Sequence, residues 1–169
     1  TISGDTNTDG TGDVRVFSVN AGVGATLNAV EIAKGYNAFT GGGINNSGTL
    51  TVTNVIFSDN LVDNTAGHWG GAIYSTGKVT VTDSVFNNNQ AYIGGAIAMN
   101  SGNLLSVTTN TFSGNQANGS GGAIYTVGPL IIAGSTFDMN ASGSGGAIRL
   151  PAGSTLSVMN STFSGNNTT

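Results

Sequence analysis

The chain has 169 residues, the length of one ordinary domain, and carries 4 basic and 8 acidic residues for a net charge of −4. Gly (28), Thr (22), Asn (21) and Ser (17) make up about half of it. Four scattered cations cannot neutralise a phosphate backbone, which argues against nucleic acid as a partner and against polybasic attachment to a membrane surface. Cys is absent, which removes disulfides, thiolate nucleophiles and Cys-based zinc sites.

No apolar run approaches the roughly 18 residues of a transmembrane helix. Charge is too sparse, and β-branched residues too frequent, for ordinary disorder. A surface of neutral hydrogen-bonding groups with few Lys and Glu points to an extracytoplasmic, secreted setting. The sequence starts without Met, signal peptide or tag and reads as a mature or excised segment.

Residues 1–15 read as an irregular entry loop and first strand, with Thr1-Ile2-Ser3 strand-like from the first residue. That loop holds the one carboxylate cluster, Asp5-Thr6-Asn7-Thr8-Asp9-Gly10-Thr11-Gly12-Asp13. Oxygen-bearing side chains at alternate positions before a Gly match the start of a calcium loop, so Asp5, Asn7, Asp9 and Asp13 are the candidate calcium ligands. Val16 stands where an EF-hand would place its bidentate Glu, so the geometry is not that of an EF-hand.

Residues 16–169 read as repeats, and the expected domain is a single one over 1–169. Gly-Gly-Ala-Ile occurs at 70–73, 94–97, 121–124 and 145–148, with Gly-Gly-Gly-Ile at 41–44. It alternates with Phe-x-x-Asn, whose Phe residues are 57, 86, 112, 137 and 163 and whose Asn residues are 60, 89, 115, 140 and 166. Between the two motifs, Leu50, Val52 and Phe57 recur as Val79, Val81, Phe86, then Leu105, Val107, Phe112, with two further copies and a weaker one at Ala25, Leu27 and Ile32. An offset of two places both side chains on one face of a strand. An offset of seven is odd, so the chain must bend between Val52 and Phe57 for the ring to return inward.

A unit of about 25 residues with two or three short strands cannot bury its own apolar face, and stacked copies can. The expected fold is all-β: a right-handed parallel β-helix (β-solenoid) of about six coils. Phe, Ile, Ala and Asn should stack as ladders, with Asn at a corner bonding the next Asn or a free backbone group. About five extra residues near 61–69, including Asp63, His68 and Trp69, mark a surface loop. Trp69, Tyr74, Tyr92 and Tyr125 are candidates for a sugar-stacking surface, but Tyr74 and Tyr125 both follow the motif Ile while Ala98 follows it in the coil between, so the aromatic pair reads as interrupted and plain exposed strand residues are the preferred reading.

The alternating motifs at 41–166 resemble the repeat of the polymorphic outer membrane protein family, also found in large secreted bacterial surface proteins. The resemblance implies a right-handed β-helix exported to the cell surface, with adhesive or structural roles and no catalytic site. The full family pattern also has a C-terminal transmembrane barrel, which these residues do not include.

The leading expectation is a non-catalytic extracellular module, structural or adhesive. Neither terminal coil carries a helix or charged edge strand as a cap, so end-to-end self-association into a filament, or continuation into neighbouring solenoid repeats, is expected. The alternative is a glycan- or ice-binding surface, the latter from outward Thr51, Thr53, Thr80, Thr82, Ser106 and Thr108. A polysaccharide-degrading enzyme ranks below both. Asp59 and Asp138 fall three coils apart, roughly 14 Å, beyond the usual separation of a glycosidase pair.

Overall fold

A computed structural model describes residues 1–168. The chain winds as a β-solenoid of about six coils, all parallel and without helix among the described residues. A full coil contributes four strands, more than the two or three expected. In one coil these are Ile73–Ser75, Lys78–Thr82, Val85–Asn87 and Gln90–Ile93. Each strand pairs with its equivalents in the coils before and after, giving one sheet of seven strands and three of six. We call them the Ile, Val, Phe and Ala sheets after the residues they turn inward.

The register is the one the motif spacing dictates. Leu50, Val79, Leu105, Leu130 and Leu156 are aligned across the Val sheet, and Ala25 joins them. The five Phe side chains form one stack, with ring centroids 4.6, 4.7, 4.7 and 4.8 Å apart and rings within 7° of parallel. Ile32 continues this ladder below Phe57, and Ile2 continues it below Ile32. Phe17 pairs with Ile44 and so begins the Ile ladder. Phe57, Phe86, Phe112 and Phe137 are fully buried. Burying one such ring is worth about 1.5–3 kcal/mol, as is each buried Ile, Leu and Val of the neighbouring ladders.

The required bend lies where the odd offset places it. Asn54 (φ 53), Asp83 (φ 48), Thr109 (φ 53), Gly134 (φ 58) and Asn160 (φ 48) occupy the left-handed region between the Val and Phe sheets. Asp59, Asn88, Gly114, Met139 and Gly165 do so between the Phe and Ala sheets. Asn, Asp and Gly suit that conformation; Thr and Met are less common there.

The motif glycines have two separate reasons. Gly94 is left-handed (φ 62), whereas a Cβ on Gly95 would lie 2.2 Å from the carbonyl oxygen of Gly122 in the next coil. The first glycine turns the chain and the second lets adjacent coils touch.

Asn at the Phe–Ala corner is buried and satisfied on every side. Asn115 Nδ2 donates to Asn140 Oδ1 at 2.9 Å and to the Phe86 carbonyl at 3.0 Å. The same pair of donations recurs at Asn60, Asn89 and Asn140. A second polar ladder, absent from the sequence reading, runs along the Val–Phe corner. There the Val55 N–H donates to Ser84 Oγ (3.1 Å), Ser84 N–H to Asn110 Oδ1 (2.8 Å) and Asn110 N–H to Ser135 Oγ (3.1 Å). Buried corner amides therefore have acceptors throughout these coils, as a buried backbone demands.

Candidate functional site

With the interior given over to ladders, chemistry falls to the outward side chains and the two loops. The lead-in loop, residues 4–14, packs against the first coil through Gly4 N–H to Ala33 O (2.9 Å) and Tyr36 N–H to Val14 O (3.0 Å). It brings Asp5, Asn7, Asp9 and Asp13 into one hydrogen-bonded knot. Asp13 Oδ2 accepts from the Thr6 N–H and hydroxyl, both at 2.8 Å, and Asp9 Oδ1 from the Thr11 N–H (2.8 Å) and hydroxyl (2.6 Å). These donors hold both carboxyls below the usual carboxylate range, the Thr hydroxyl being the largest cause in each case. Asn7 Oδ1 accepts the Asp9 N–H at 3.0 Å. Asp5 Oδ2 accepts the Gly10 N–H at 3.0 Å and lies 3.5 Å from Lys34 Nζ, while Asp5 Oδ1 is buried without a donor. Among the described residues, no three His, Asp or Glu side chains are gathered as a metal cage.

The insertion after Leu61–Val62 is tied down by its own polar groups. Tyr36 donates its hydroxyl to Asp63 Oδ1 (2.9 Å), which raises the phenol's pKa. His68 Nδ1 sits 2.9 Å from Thr65 Oγ1 and 3.1 Å from the Asp63 carbonyl. The only His thus spends one ring nitrogen on fixing the loop. Its ring meets Phe39 edge-on at 5.3 Å, and Phe39 is 65% exposed.

The insertion delivers Trp69 to the outer wall of the Ile sheet. Ser18, Asn45, Tyr74, Ala98, Tyr125 and Arg149 form one outward file there, in register from coil to coil. The file is interrupted at Ala98, as the sequence indicates, but the aromatic surface is not. Trp69 spans the gap, edge-on to Tyr74 (6.4 Å, 76°) and to Tyr125 (5.2 Å, 87°), and Ala98 is fully buried. File order alone could not show this, because Trp69 comes from the corner before the strand. The sequence offered the four aromatics as a candidate group and the extra length of that corner, but not the position of the indole between the two Tyr residues.

The Val sheet presents a different wall. Thr51, Thr80 and Ser106 form one outward rank, and Thr53, Thr82 and Thr108 a second, both in register. Ile131 and Ala133 follow in the next coil, then Ser157 and Met159.

The carboxylates outside the lead-in loop are dispersed. Asp59 and Asp83 occupy different left-handed corners, Asp83 accepts from the Thr109 hydroxyl, and Asp138 from that of Ser164. They do not converge with each other on a cleft.

No curated protein and no solved structure matches the chain. Residues 54–76, 83–99 and 111–127 match the Chlamydia polymorphic membrane protein (Chlamydia_PMP) repeat. Each match spans a Phe-x-x-Asn corner and the Gly-Gly-Ala-Ile that follows it, the segment of coil running through the Phe and Ala sheets into the Ile sheet. Over these three segments the β-solenoid is similar to the polymorphic membrane protein repeat.

Proposed function

We propose that this chain is a non-catalytic module displayed at a bacterial outer membrane or cell surface, with a structural and adhesive role. The observation that carries the reading is the division of labour within each coil. Inward positions repeat the same residues in ladders, Phe among them, while outward positions of the Ile sheet vary from coil to coil and hold Tyr74, Tyr125 and Arg149. The repeat match supports the surface setting, since the matched family is one of membrane proteins. Dispersed carboxylates support the non-catalytic part, because polysaccharide hydrolysis uses two carboxyl groups across one bond.

The same reading covers contacts along the axis. Leu156, Val158 and Phe163 are 50%, 41% and 44% exposed, whereas their equivalents in the preceding coils are buried. A further coil, of this polypeptide or of a second copy, would continue their ladders. The test is to display the module on a non-adherent bacterium and count cells retained on host-cell or polysaccharide surfaces. Retention above the bare strain, without release of reducing sugar, is the expected result. Release of reducing sugar would replace this reading with an enzymatic one.

The Thr ranks favour one second reading, an ice-binding face, because two rows of hydroxyl and methyl groups repeat in register. Inhibition of ice recrystallisation by the purified module, lost in Thr80→Lys, is its test.

A further inference from the structure

We infer that the outer wall of the Ile sheet is a binding site for an acidic polysaccharide, with Trp69, Tyr74 and Tyr125 as its stacking surface and guanidinium groups at its two ends. The inference rests on the surface-module reading and names the ligand class of that surface. Three observations converge on it.

First, the aromatic surface depends on an insertion that the other coils lack. The stack closes without residues 63–68, yet they bring Trp69 over Ala98 and join two Tyr residues that would otherwise stand two coils apart. Aromatic rings with polar tips suit a pyranose, which has apolar C–H faces and a polar rim. Asn45 and Ser18 extend the same file with an amide and a hydroxyl.

Second, the cations lie at the ends of this strip. Arg149 follows Tyr125 in the file, is exposed, and has no carboxylate within 4.0 Å among the described residues. Arg15 lies half-buried at the other end, where its guanidinium donates to the Gly41 carbonyl (2.9 Å), the Thr40 carbonyl (2.5 Å) and Thr40 Oγ1 (3.3 Å), leaving its remaining N–H groups for a ligand. Thr40 pairs with Trp69. Guanidinium is the side chain best shaped for a carboxylate.

Third, the acidic residues are placed elsewhere. The outward file of the Ile sheet contains no Asp or Glu. Asp63, the acidic residue of the insertion, accepts the Tyr36 hydroxyl. The outward file itself thus carries one charge, the guanidinium of Arg149, and it is positive although the chain as a whole is at −4. A uronate chain lying along the wall would stack sugars on the rings and set carboxylates against Arg149. From Ala98, beneath the indole, to Arg149 is two coil spacings, roughly 10 Å.

Trp69 is the only Trp, so its emission reads this site directly. The whole module is titrated with a soluble oligogalacturonate and, separately, with a neutral cello-oligosaccharide. The expected result is a saturable change in emission with the acidic oligomer, at least tenfold weaker with the neutral one. Raising NaCl from about 50 to about 500 mM should weaken it further, because screening shortens the reach of exposed charges. Tyr125→Ala should raise Kd at least tenfold, and Arg149→Gln should remove the preference for the acidic oligomer. Unchanged melting temperature keeps each variant informative, and Arg149→Gln serves if Tyr125→Ala does not fold. An emission that stays constant with both oligomers overturns the site. Equal response to both overturns the acidic ligand class. Cells that display the module and adhere while Trp69 stays silent refute this site and leave the surface role standing; saturable binding without adherence does the reverse.

Discussion

Asn115 Oδ1 accepts two hydrogen bonds from Asn89, one from its backbone N–H and one from its Nδ2, each at 3.0 Å. Asn115→Ala would leave the Asn89 N–H without its acceptor, take one of two acceptors from Asn89 Nδ2, and remove the side-chain donor to the Phe86 carbonyl. Unsatisfied buried groups cost about 1–3 kcal/mol each, so we expect a loss of about 3 kcal/mol or more by chemical denaturation. Phe112→Ala, in the adjacent ring stack, should cost about 3–5 kcal/mol through the cavity it opens. The two sites share the corner, so the double variant should fall short of the sum. A loss below 1 kcal/mol in Asn115→Ala would mean that the ladder relaxes freely.

Two glycines give a matched contrast. Gly95→Ala places a Cβ 2.2 Å from the Gly122 carbonyl oxygen, and the obstruction is backbone, which cannot rotate away. We expect a loss of about 3 kcal/mol or more, or failure to fold. Gly102→Ala meets nothing within 4 Å and should change the melting temperature little. Equal effects of the two would contradict the close approach of the coils.

Thr109 stands at a left-handed corner (φ 53) where neighbouring coils use Asn, Asp or Gly. A β-branched residue there costs roughly 1–2 kcal/mol. Thr109→Asn should therefore stabilise the protein by about 1 kcal/mol, read as a rise in denaturation midpoint. It also removes the hydroxyl that donates to Asp83, an exposed contact of small weight. A drop in midpoint would show that this contact outweighs the backbone.

The lead-in loop should loosen in acid before the coils do. Asp13, through Thr6, and Asp9, through Thr11, have folded pKa values below the ordinary one. Glu31 is lowered as well, first by Thr1 and then by Ser58. A depressed carboxyl contributes stability that is present above its unfolded pKa, about 4, and lost as pH falls through the folded value. Protection of the Thr6 and Thr11 amides, taken relative to an unstructured amide at the same pH, should fall below about pH 4 while the Asn89 amide stays protected. A uniform loss of protection across all three would mean that the loop and the stack open together.

Calcium has a test of its own. A cation seated on Asp5, Asn7, Asp9 and Asp13 would have to take oxygens that now accept Thr6, Asp9, Gly10 and Thr11 N–H groups. The expected result is a melting temperature unaltered by calcium or by a chelator. A calcium-dependent rise, which mass action would produce, would show that the loop opens to bind the ion and that the orphaned Asp5 Oδ1 turns to meet it.

The ladders were legible in the sequence because an inward residue has the same neighbours in every coil. Phe57 to Phe163 and Asn60 to Asn166 keep one residue type, and even the weak set Ala25, Leu27 and Ile32 falls in register. The Val–Phe corner hid its ladder because Ser, Asn and Ser each supply an oxygen there, so the function repeats while the residue does not. The Ala sheet was missed for a related reason. Four of its six strands have only two residues, and its inward positions pass through Val62, Ala91, Ala117 and Ser142. The bridging position of Trp69 depends on how the inserted loop folds back, which no spacing rule encodes.

The insertion after Val62 has a practical meaning for the perimeter of the solenoid. From Phe to Asn the chain allows three steps in every full repeat, whereas the stretch from Val62 to Trp69 has grown without disturbing the pairing of Trp69 with Thr40 and Ile93. Each coil thus has a fixed arc, where length is locked by the ring and amide stacks, and a free arc, where length is open to change. A foreign peptide spliced between Asp63 and His68 would be carried outside an intact stack, and several coils so modified would hold their cargo at intervals of one strand spacing along a rigid rod.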